Sequence, residues 1–437
     1  MNQQYINYFQ RKFVLDEALT ASEDQFVCNA ALSCYHAGNL GQAETWAYVL
    51  IKLGNTLARA QGFVLLGRVV DKIGRHDLAK KYFQQAISIT PNLADAQHFL
   101  SSIRFRKVGN STPRSQRRVR RYHVIKAWGC GFWSEVYHLL NQLLFCEITG
   151  RLPVIHWGAN CLYGYGDNGN AYELYFKPLN NCTLSDLLRK QYSFYPPKWG
   201  PDNLTTAEIN KWTGAYSRMA AVDLINRDED ITICDYYSPI YNLVTFLPVH
   251  HPLYGKDLEF IYRYLVNKYL HPRSEILRQV DEFWHKNMQG KTLIAVHIRG
   301  SDKIQEVRFL DKLVRRFHKQ VSCWRALNPR AYIFLLTDSE FVLEENKRRY
   351  GSKLIYTPCC RSNDSTGIHF KQDQDKKRIG TEIIVDTYLA TRCNYFIGLG
   401  DSNVSAMVLH MKDWSDGACH LEGTIMSHQI NLLLYDR

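Results

Sequence analysis

The 437-residue sequence contains no run of about 18 apolar residues, which is the length that a membrane-spanning helix requires. Its first residues, MNQQYINYFQRKF, lack the apolar segment of a secretory signal peptide. None of its 12 cysteines has the Cys-x-x-Cys spacing typical of metal sites, and the adjacent Cys359 and Cys360 have no partners at ligand spacing. These absences predict reduced thiols, no bound metal and a cytoplasmic protein that is either free or peripheral to a membrane.

Residues 104–121 contain no acidic residue but eight lysines and arginines, and they contribute much of the net charge of +12. The same segment contains VGNSTPRSQ, a composition typical of linkers. Two interpretations are open: a solvated linker, or a segment that contacts an acidic membrane surface or an anionic acceptor. Aromatic residues do not alternate with the basic ones as in single-strand binders, so the sequence predicts no nucleic-acid partner.

Residues 24–100 have a helical pattern that repeats. In LLGRVVDKIGRHDLAKKYFQQAISITP, small residues such as Gly67 and Ala79 would let two helices approach, Gly74 would turn the chain and Pro91 would end the second helix. A weaker copy lies 36 residues earlier, around Gly38. The pattern resembles the tetratricopeptide repeat, with an ordinary helical bundle as the alternative. Such helices would hold an acceptor, another partner or a second copy of the chain.

From Tyr122 the pattern changes to alternating strands and helices. A short strand, a glycine turn at Gly129 and Gly131, an apolar helix and a second strand form a βαβ unit, which predicts a parallel sheet covered by helices. The turn would bring backbone N–H groups and a helix N-terminus to a point where an anion could bind. Further strands are predicted at 231–234, 293–296, 332–336, 353–356 and 395–397, and helices at 274–288, 340–350 and 381–391.

Three of these strands end in polar, charged or glycine-rich segments. The segment LIAVHIRGSDKIQE brings Arg299, Asp302, Lys303 and Glu306 to the end of a buried strand. Ligands of open α/β sheets bind at such strand ends, so the sequence predicts a ligand cleft there. The alternative for HIRGSDK alone is a surface loop with an internal Arg–Asp pair.

The residue types at these strand ends suit a diphosphate. Arg299 offers a planar fork of donors and Lys303 a compact charge, and a helix that starts near Ser402 and Asn403 could donate to the same phosphates. The sequence has no Walker motif and no acidic cluster for Mg²⁺, so no cofactor is expected. A diphosphate held by cations without metal is the arrangement expected for the leaving group of metal-independent glycosyl transfer.

Three stretches, in order, resemble the α-1,6-fucosyltransferase superfamily, which includes the nodulation fucosyltransferases and is related to the protein O-fucosyltransferases. VHIRGSDK resembles the HxRRxDK-type motif, WGCGFWSEVYHL resembles the Gly-x-Gly loop, and IIVDTYLATRCNYFIGLGDSNVS resembles the last motif. The resemblance covers roughly residues 122–425. It implies a GT-B fold, with two Rossmann-like domains facing across a cleft and the nucleotide in the second.

The resemblance also implies roles for individual residues. Arg299 would bind the donor diphosphate, with Lys303 and Asp302 shaping the site and His297 lying along the nucleotide. Asp386 would read guanine, for which the alternative is an acid on a helix surface. The remaining donor-binding residues would be Gly129, Gly131, Ser402 and Asn403.

The sequence departs from the family pattern in three places. Gly300 stands where the motif has a second Arg, and Val307 stands where the family has its proposed base. Glu306, one residue earlier, is the favoured general base, and Asp302 is its competitor. The family's N-terminal coiled coil and C-terminal SH3 domain are absent, so a different acceptor is expected.

The sequence therefore predicts an α/β protein of GT-B type preceded by an all-α region. The expected division is a repeat region at 1–105, a basic linker at 106–121, an acceptor-side half at 122–285 and a nucleotide-sugar half at 286–437. The expected function is inverting, metal-independent transfer of fucose from GDP-fucose to a hydroxyl of a glycan or protein acceptor, held by the helical repeats, with homo-oligomers as a further option. Alternatives are another nucleotide-sugar donor, or a repeat-based interaction protein with an inactive transferase domain.

Overall fold

A computed structural model of the chain describes residues 17–38, 40–72, 76–105, 120–166, 169–188, 191–206, 227–234, 240–248, 250–300, 310–364 and 375–423. Residues 5, 8, 9, 11, 12, 224, 225, 367, 368 and 425 are also described. Most of the basic segment lies outside these ranges, so its predicted roles stay predictions.

The N-terminal region is a stack of helices. They are α1 (Ala21–His36), α2 (Leu40–Leu53), α3 (Thr56–Lys72), α4 (His76–Ile89) and α5 (Ala94–Phe105). Each helix packs against the next, and α1 and α5 both also pack against α3.

Small residues allow this close packing, as the sequence predicted. A Cβ atom on Gly67 of α3 would lie 2.4 Å from the Phe83 ring of α4, and one on Gly62 would lie 2.8 Å from the Ala47 carbonyl oxygen of α2. The helix α4 ends at Ile89, just before Pro91. The tetratricopeptide assignment itself stays a prediction, and Gly74 lies outside the described residues.

The first α/β half is built on a parallel sheet with the strand order β2-β1-β4-β3. Its strands are β1 (Tyr122–Lys126), β2 (Leu152–His156), β3 (Phe194–Tyr195) and β4 (Ile231–Cys234). The helix α6 (Phe132–Thr149) connects β1 to β2, and Gly150 ends it in the left-handed conformation at φ 67°. Almost every side chain of the first four turns of α6 is buried, so this helix lies in the core rather than on the surface.

Four further helices and three 3₁₀ turns lie in the described segments that connect the strands. The helices are α7 (Tyr172–Tyr175), α8 (Ile240–Leu243), α9 (Leu258–Tyr269) and α10 (Ser274–Asn287). The 3₁₀ turns are Leu184–Leu187, Val244–Phe246 and Gly351–Lys353.

The second half is a parallel sheet with the strand order β7-β6-β5-β8-β9. Its strands are β5 (Leu293–His297), β6 (Tyr332–Leu336), β7 (Leu354–Ile355), β8 (Tyr395–Leu399) and β9 (Cys419–Glu422). Its helices are α11 (Leu310–Leu327), α12 (Glu340–Tyr350), α13 (Lys376–Thr391) and α14 (Asn403–Met411). The predicted strands are therefore present, with ends shifted by up to two residues.

The two halves pack tightly against each other. Helix α9 contacts both α6 and α14, while α10 contacts α13. The predicted division between residues 285 and 286 falls inside α10. The apolar core runs through both halves, from Leu140 on α6 to Phe396 on β8.

The helical region docks on the first half. Phe246 is fully buried within the apolar core of the helices, and the Lys81 Nζ on α4 donates to the Tyr254 hydroxyl at 2.8 Å. Removing the helices would therefore expose apolar surface on the first half.

None of the described helices has the length and apolarity needed to cross a membrane. All twelve cysteines are free thiols, and six of them are buried, in keeping with their predicted role as core residues.

Candidate functional site

A cleft lies between the two halves at the C-terminal ends of β5 and β6. This is the edge of a parallel sheet at which ligands bind. Both halves contribute to it, and its polar or turn residues are Gly131, Ser134, Tyr163, His297, Arg299, Thr337, Asp338, Glu382, Asp386 and Asn403. Five residues that the sequence selected, Gly131, His297, Arg299, Asp386 and Asn403, thus line one cleft.

Arg299 follows β5 by two residues, and its side chain is 24% exposed. Its Nε lies 3.6 Å from Oδ2 of Asp338, which follows the neighbouring strand β6. The backbone N–H of Gly300 donates to the other oxygen of Asp338 at 3.0 Å. Asp338 therefore contacts both the guanidinium and the backbone of the motif, and it places the guanidinium in the cleft wall.

His297 ends β5 and is almost fully buried. Its Nδ1 lies 2.8 Å from the Ser405 hydroxyl of α14. Burial lowers the pKa of His297 to about 4, so the ring is neutral at physiological pH. A neutral ring in the cleft wall suits a contact with an uncharged part of a ligand, and the predicted position of His297 along a nucleotide stays a prediction.

Gly300 occupies a position that has no room for a side chain. A Cβ atom there would lie 2.6 Å from Cγ2 of Val342 and 2.9 Å from Cβ of Ser339, both at the start of α12. The second Arg of the family motif therefore cannot be accommodated in this backbone arrangement.

Asp386 lies on α13 and is 8% exposed, so the alternative of a helix-surface acid is wrong. The Thr357 hydroxyl donates to its Oδ1 at 2.6 Å, and the Cys359 thiol lies 3.8 Å from its Oδ2. Burial raises the pKa of Asp386 to about 6, against the hydrogen bond from Thr357, which lowers it. The group is thus mainly a carboxylate at neutral pH, with lone pairs left for a ligand donor.

Glu382 precedes Asp386 by one helical turn and also lines the cleft. Its two oxygens accept hydrogen bonds from the Cys360 N–H at 2.8 Å and from the Arg378 Nε at 2.7 Å. Glu382 therefore anchors the loop after β7 beside Asp386.

The start of α14 contributes Asn403, whose Nδ2 donates to the Ser134 hydroxyl of α6 at 2.6 Å. Ser402 is the N-cap residue, and its buried hydroxyl has no hydrogen-bond partner within the part of the chain that the structure describes. The predicted phosphate contacts of Ser402 and Asn403 stay predictions. Asn403 is positioned in the cleft wall, whereas Ser402 is enclosed at 1% exposure.

The glycine turn after β1 is closed by an internal carboxyl group. Gly129 has a φ of 78°, as the sequence suggested for a tight turn. The N–H groups of Trp128, Gly129 and Cys130 donate to the Glu135 side chain, at 2.5, 2.8 and 3.4 Å. These amides are therefore engaged by Glu135 in this structure, and the predicted donor contact of Gly129 stays a prediction. Gly131, the N-cap of α6, does line the cleft.

Burial raises the pKa of Glu135 to about 7, because the apolar surroundings disfavour its charged form more than the three amides stabilise it. Because Glu135 is 1% exposed and accepts hydrogen bonds from the turn amides, its role is to hold the turn closed.

Hydrogen bonds across the cleft floor fix the relative position of the halves. The Trp133 Nε1 donates to the Thr387 hydroxyl at 2.9 Å, next to Asp386. The Tyr137 hydroxyl and the His410 Nδ1 are 2.7 Å apart. Both contacts join α6 to helices of the second half, so the two walls of the cleft are held by buried polar pairs.

Asp338, Glu382 and Ser134 line the cleft but were not predicted as site residues. Asp338 was visible as the polar end of a predicted strand, and Glu382 precedes Asp386 at helical i, i+4 spacing. Asp302, Lys303 and Glu306 lie outside the described residues, so their predicted roles stay predictions. No group of His, Cys, Asp and Glu within the described ranges is arranged to hold a metal ion.

The fold is similar to solved structures of fucosyltransferases. Fucosyltransferase NodZ from Bradyrhizobium is 19% identical with a TM-score of 0.46, and the match covers 66% of this chain and 92% of NodZ. NodZ α-1,6-fucosyltransferase co-crystallised with GDP gives 19% identity, a TM-score of 0.45 and the same coverage of 66% and 92%. POFUT1 in its apo form gives 12% identity and a TM-score of 0.43, over 71% of this chain and all (100%) of POFUT1.

NodZ is an α-1,6-fucosyltransferase, the kind of enzyme that the sequence motifs resemble. No protein-family model matches the sequence. No curated protein matches it either.

Proposed function

We propose that the protein is an inverting, metal-independent glycosyltransferase of GT-B type that uses GDP-fucose. The observation that carries this proposal is the convergence of Arg299 and a buried carboxylate, Asp386, in one cleft. Arg299 supplies the planar N–H donors of its guanidinium for a diphosphate. Asp386 supplies two carboxylate oxygens that can accept hydrogen bonds from a nucleobase with two adjacent N–H donors.

The guanine assignment follows from hydrogen-bond chemistry. Guanine presents N1–H and an exocyclic amine side by side, and a carboxylate can accept from both. Adenine and uracil do not present this pair of donors on one edge. Thr357 and Cys359 engage one lone pair on each oxygen of Asp386, which orients the carboxylate and leaves acceptor capacity on both oxygens.

In the proposed reaction a base removes the proton of an acceptor hydroxyl while the hydroxyl oxygen attacks the anomeric carbon. The bond from that carbon to the diphosphate breaks, and Arg299 stabilises the charge on the departing GDP. Among the described carboxylates of the cleft, Asp338 and Glu382 are already bonded to backbone amides and arginines. This favours a catalytic general base in segment 301–309, with Glu306 preferred and Asp302 as the competitor.

A second candidate is a helical-repeat interaction protein whose transferase halves bind nucleotide without turnover. The packing at Gly300 favours it, because the backbone excludes the second cation of the motif. The two candidates differ in catalysis and share nucleotide binding.

The first experiment measures binding of GDP, ADP, UDP and xanthosine diphosphate by calorimetry, with EDTA present. The wild type should prefer GDP, by about tenfold or more over ADP and UDP. Asp386→Asn should lose GDP affinity and gain relative affinity for xanthosine diphosphate, because an amide donates to the 2-oxo group of xanthine. The matched control is Asp416→Asn, which removes an exposed carboxylate outside the cleft.

The second experiment measures GDP release from GDP-fucose and GDP-mannose, with and without glycan and peptide acceptors. Release from GDP-fucose that persists in EDTA supports the transferase. GDP binding without release supports the interaction protein, and equal affinity for all four nucleotides contradicts the assignment of guanine to Asp386.

A further inference from the structure

One contact between the two halves lies directly beside the carboxylate proposed to accept from guanine. Trp133, in the first turn of α6, is 2% exposed, and its indole Nε1 donates to the Thr387 hydroxyl of α13 at 2.9 Å. Thr387 is fully buried and follows Asp386 in the chain. A side chain of the first half therefore holds the turn of α13 that carries the cleft carboxylate.

The hydrogen bonds of the Thr387 hydroxyl define its orientation. The hydroxyl accepts from Trp133, and it donates to the carbonyl oxygen of Ile383, one helical turn earlier, at 2.7 Å. Because the hydroxyl both donates and accepts, its bond to the indole fixes the position of this turn of α13 relative to α6. The second half contributes the Thr357 hydroxyl, which donates to Asp386 itself at 2.6 Å. Each half thus supplies a hydrogen bond to this turn.

The same turn of α6 also contacts the helix on the other side of the cleft. The Ser134 hydroxyl accepts from Nδ2 of Asn403, the first residue of α14, at 2.6 Å. Two consecutive side chains, Trp133 and Ser134, therefore set the spacing between α13 and the start of α14. A nucleotide that is bound through its base at one end and its phosphates at the other requires a fixed spacing between the two helices.

The start of α13 has separate anchors on the first half. The Tyr165 hydroxyl donates to Oδ1 of Asp375, the N-cap residue of α13, at 2.7 Å. The Tyr175 hydroxyl lies 2.9 Å from the carbonyl oxygen of Lys376. Loss of the Trp133 hydrogen bond should therefore shift the turn that carries the cleft carboxylate while the start of the helix stays attached.

We propose that Trp133 is a positioning residue that, through Thr387, orients the Asp386 carboxylate for a nucleobase with two adjacent N–H donors. This inference rests on the proposed use of a guanine nucleotide. Two parallel hydrogen bonds require both carboxylate oxygens to lie near the plane of the base, so they weaken when the carboxylate rotates. A nucleobase with one N–H on that edge needs one oxygen, and its binding depends less on this orientation.

The test compares the binding of GDP and inosine diphosphate by calorimetry. Hypoxanthine retains the N1–H of guanine and lacks its 2-amino group, so the ratio of the two affinities reports on the second hydrogen bond. The wild type should prefer GDP by about tenfold or more. Trp133→Phe keeps a ring without the N–H, and Thr387→Val keeps the shape without the hydroxyl. Each should reduce the preference to about threefold or less.

Control variants separate positioning from general packing. Thr387→Ser retains the hydroxyl and should retain the preference for GDP. Trp157→Phe is the matched control and should leave the ratio unchanged. Trp157 is fully buried in the same apolar core as Trp133, and its indole N–H has no hydrogen-bond partner within the described ranges. In the double variant of Trp133→Phe with Thr387→Val, the loss should match that of either single variant, because both changes remove the same hydrogen bond.

Three results would overturn the inference. The first is a wild-type ratio in folded Thr387→Val, whose buried side chain cannot contact the nucleotide directly. The second is an equal loss of affinity for GDP and inosine diphosphate in both variants, which is the result of a purely structural role. The third is a wild type that binds both nucleotides equally.

Melting temperatures identify variants that fail to fold, and one folded variant is sufficient because the bond is broken from either side. A wild type that prefers GDP, with variants that keep the preference, refutes this inference alone. A wild type that binds GDP no better than ADP refutes the proposed guanine nucleotide as well.

Discussion

The packing around Gly300 allows a quantitative prediction for Gly300→Ala. A Cβ atom there would lie 2.6 Å from Cγ2 of Val342, whereas ordinary contacts between carbon atoms are about 3.5–4.0 Å. Overpacking of this kind costs about 1–3 kcal/mol. Replacing glycine by alanine without strain would stabilise the protein by about 0.4–1 kcal/mol through the unfolded chain. We therefore expect a net destabilisation of about 1–2 kcal/mol.

The double variant Gly300→Ala with Val342→Ala tests the cause. Val342→Ala removes the methyl group that collides, so part of the loss should be recovered relative to the sum of the single variants. Denaturant midpoints measure each variant. Gly200→Ala is the control, because a Cβ atom there has no atom within 4 Å, and its stability should not fall but rise by about 0.4–1 kcal/mol.

The same substitution should also weaken GDP binding. The Gly300 N–H donates to Asp338, and Asp338 contacts Arg299, so displacing the backbone moves the guanidinium. Val342→Ala should restore binding together with stability. If Gly300→Ala matches the wild type in both measurements, or if Val342→Ala recovers nothing, the reasoning about this contact is refuted.

Four further predictions concern the cleft and the helical region. Arg299→Ala should lower the transfer rate about a hundredfold or more, with Arg299→Lys also poor; normal turnover in the folded protein excludes Arg299 from the site. GDP affinity should fall as the pH drops from 7 to 5, because Asp386 with its pKa raised to about 6 becomes protonated; a flat profile from calorimetry contradicts its role as a guanine acceptor. A chain that begins at Tyr122 should lose solubility but keep GDP binding once folded, since the cleft lies downstream; a folded truncation without affinity would place the helices in the donor site. Glu306→Gln should keep GDP affinity and lose transfer, whereas Asp302→Asn should weaken both; ordinary transfer by Glu306→Gln removes it as the base.

The sequence was informative where polar side chains come directly after a buried strand. His297 and Arg299 come immediately after a buried apolar run, so their place at the C-terminal edge of a parallel sheet was predictable. Asp386 was found through its resemblance to a family motif. Its burial could not be read from EIIVDTYLA, because it depends on the loop after β7, which packs Thr357 against it.

Contacts between distant segments were not predictable. The structure places Asp338 beside Arg299 from the adjacent strand, 39 residues away in the chain, a contact that the sequence did not predict. The predicted pairing of Asp302 with Arg299 and Lys303 lies outside the described residues and stays a prediction. Likewise, the glycine turn looked like an anion site. The first turn of the following helix fills it with Glu135, which accepts from the amides that precede the helix.

The charges of the cleft explain why the nucleobase, rather than the diphosphate, should determine which nucleotide-sugar donor binds. Its described acids are Asp338, Glu382 and Asp386, and Arg299 is its described cation. Asp338 is paired with Arg299 and Glu382 with Arg378. Among the described residues, the Thr357 hydroxyl and the Cys359 thiol are the groups bonded to Asp386, and the charge of Arg361 also lowers its pKa. A buried carboxylate whose pKa is raised by desolvation is stabilised most by a ligand that brings paired N–H donors, and it disfavours a nucleobase that presents an acceptor there.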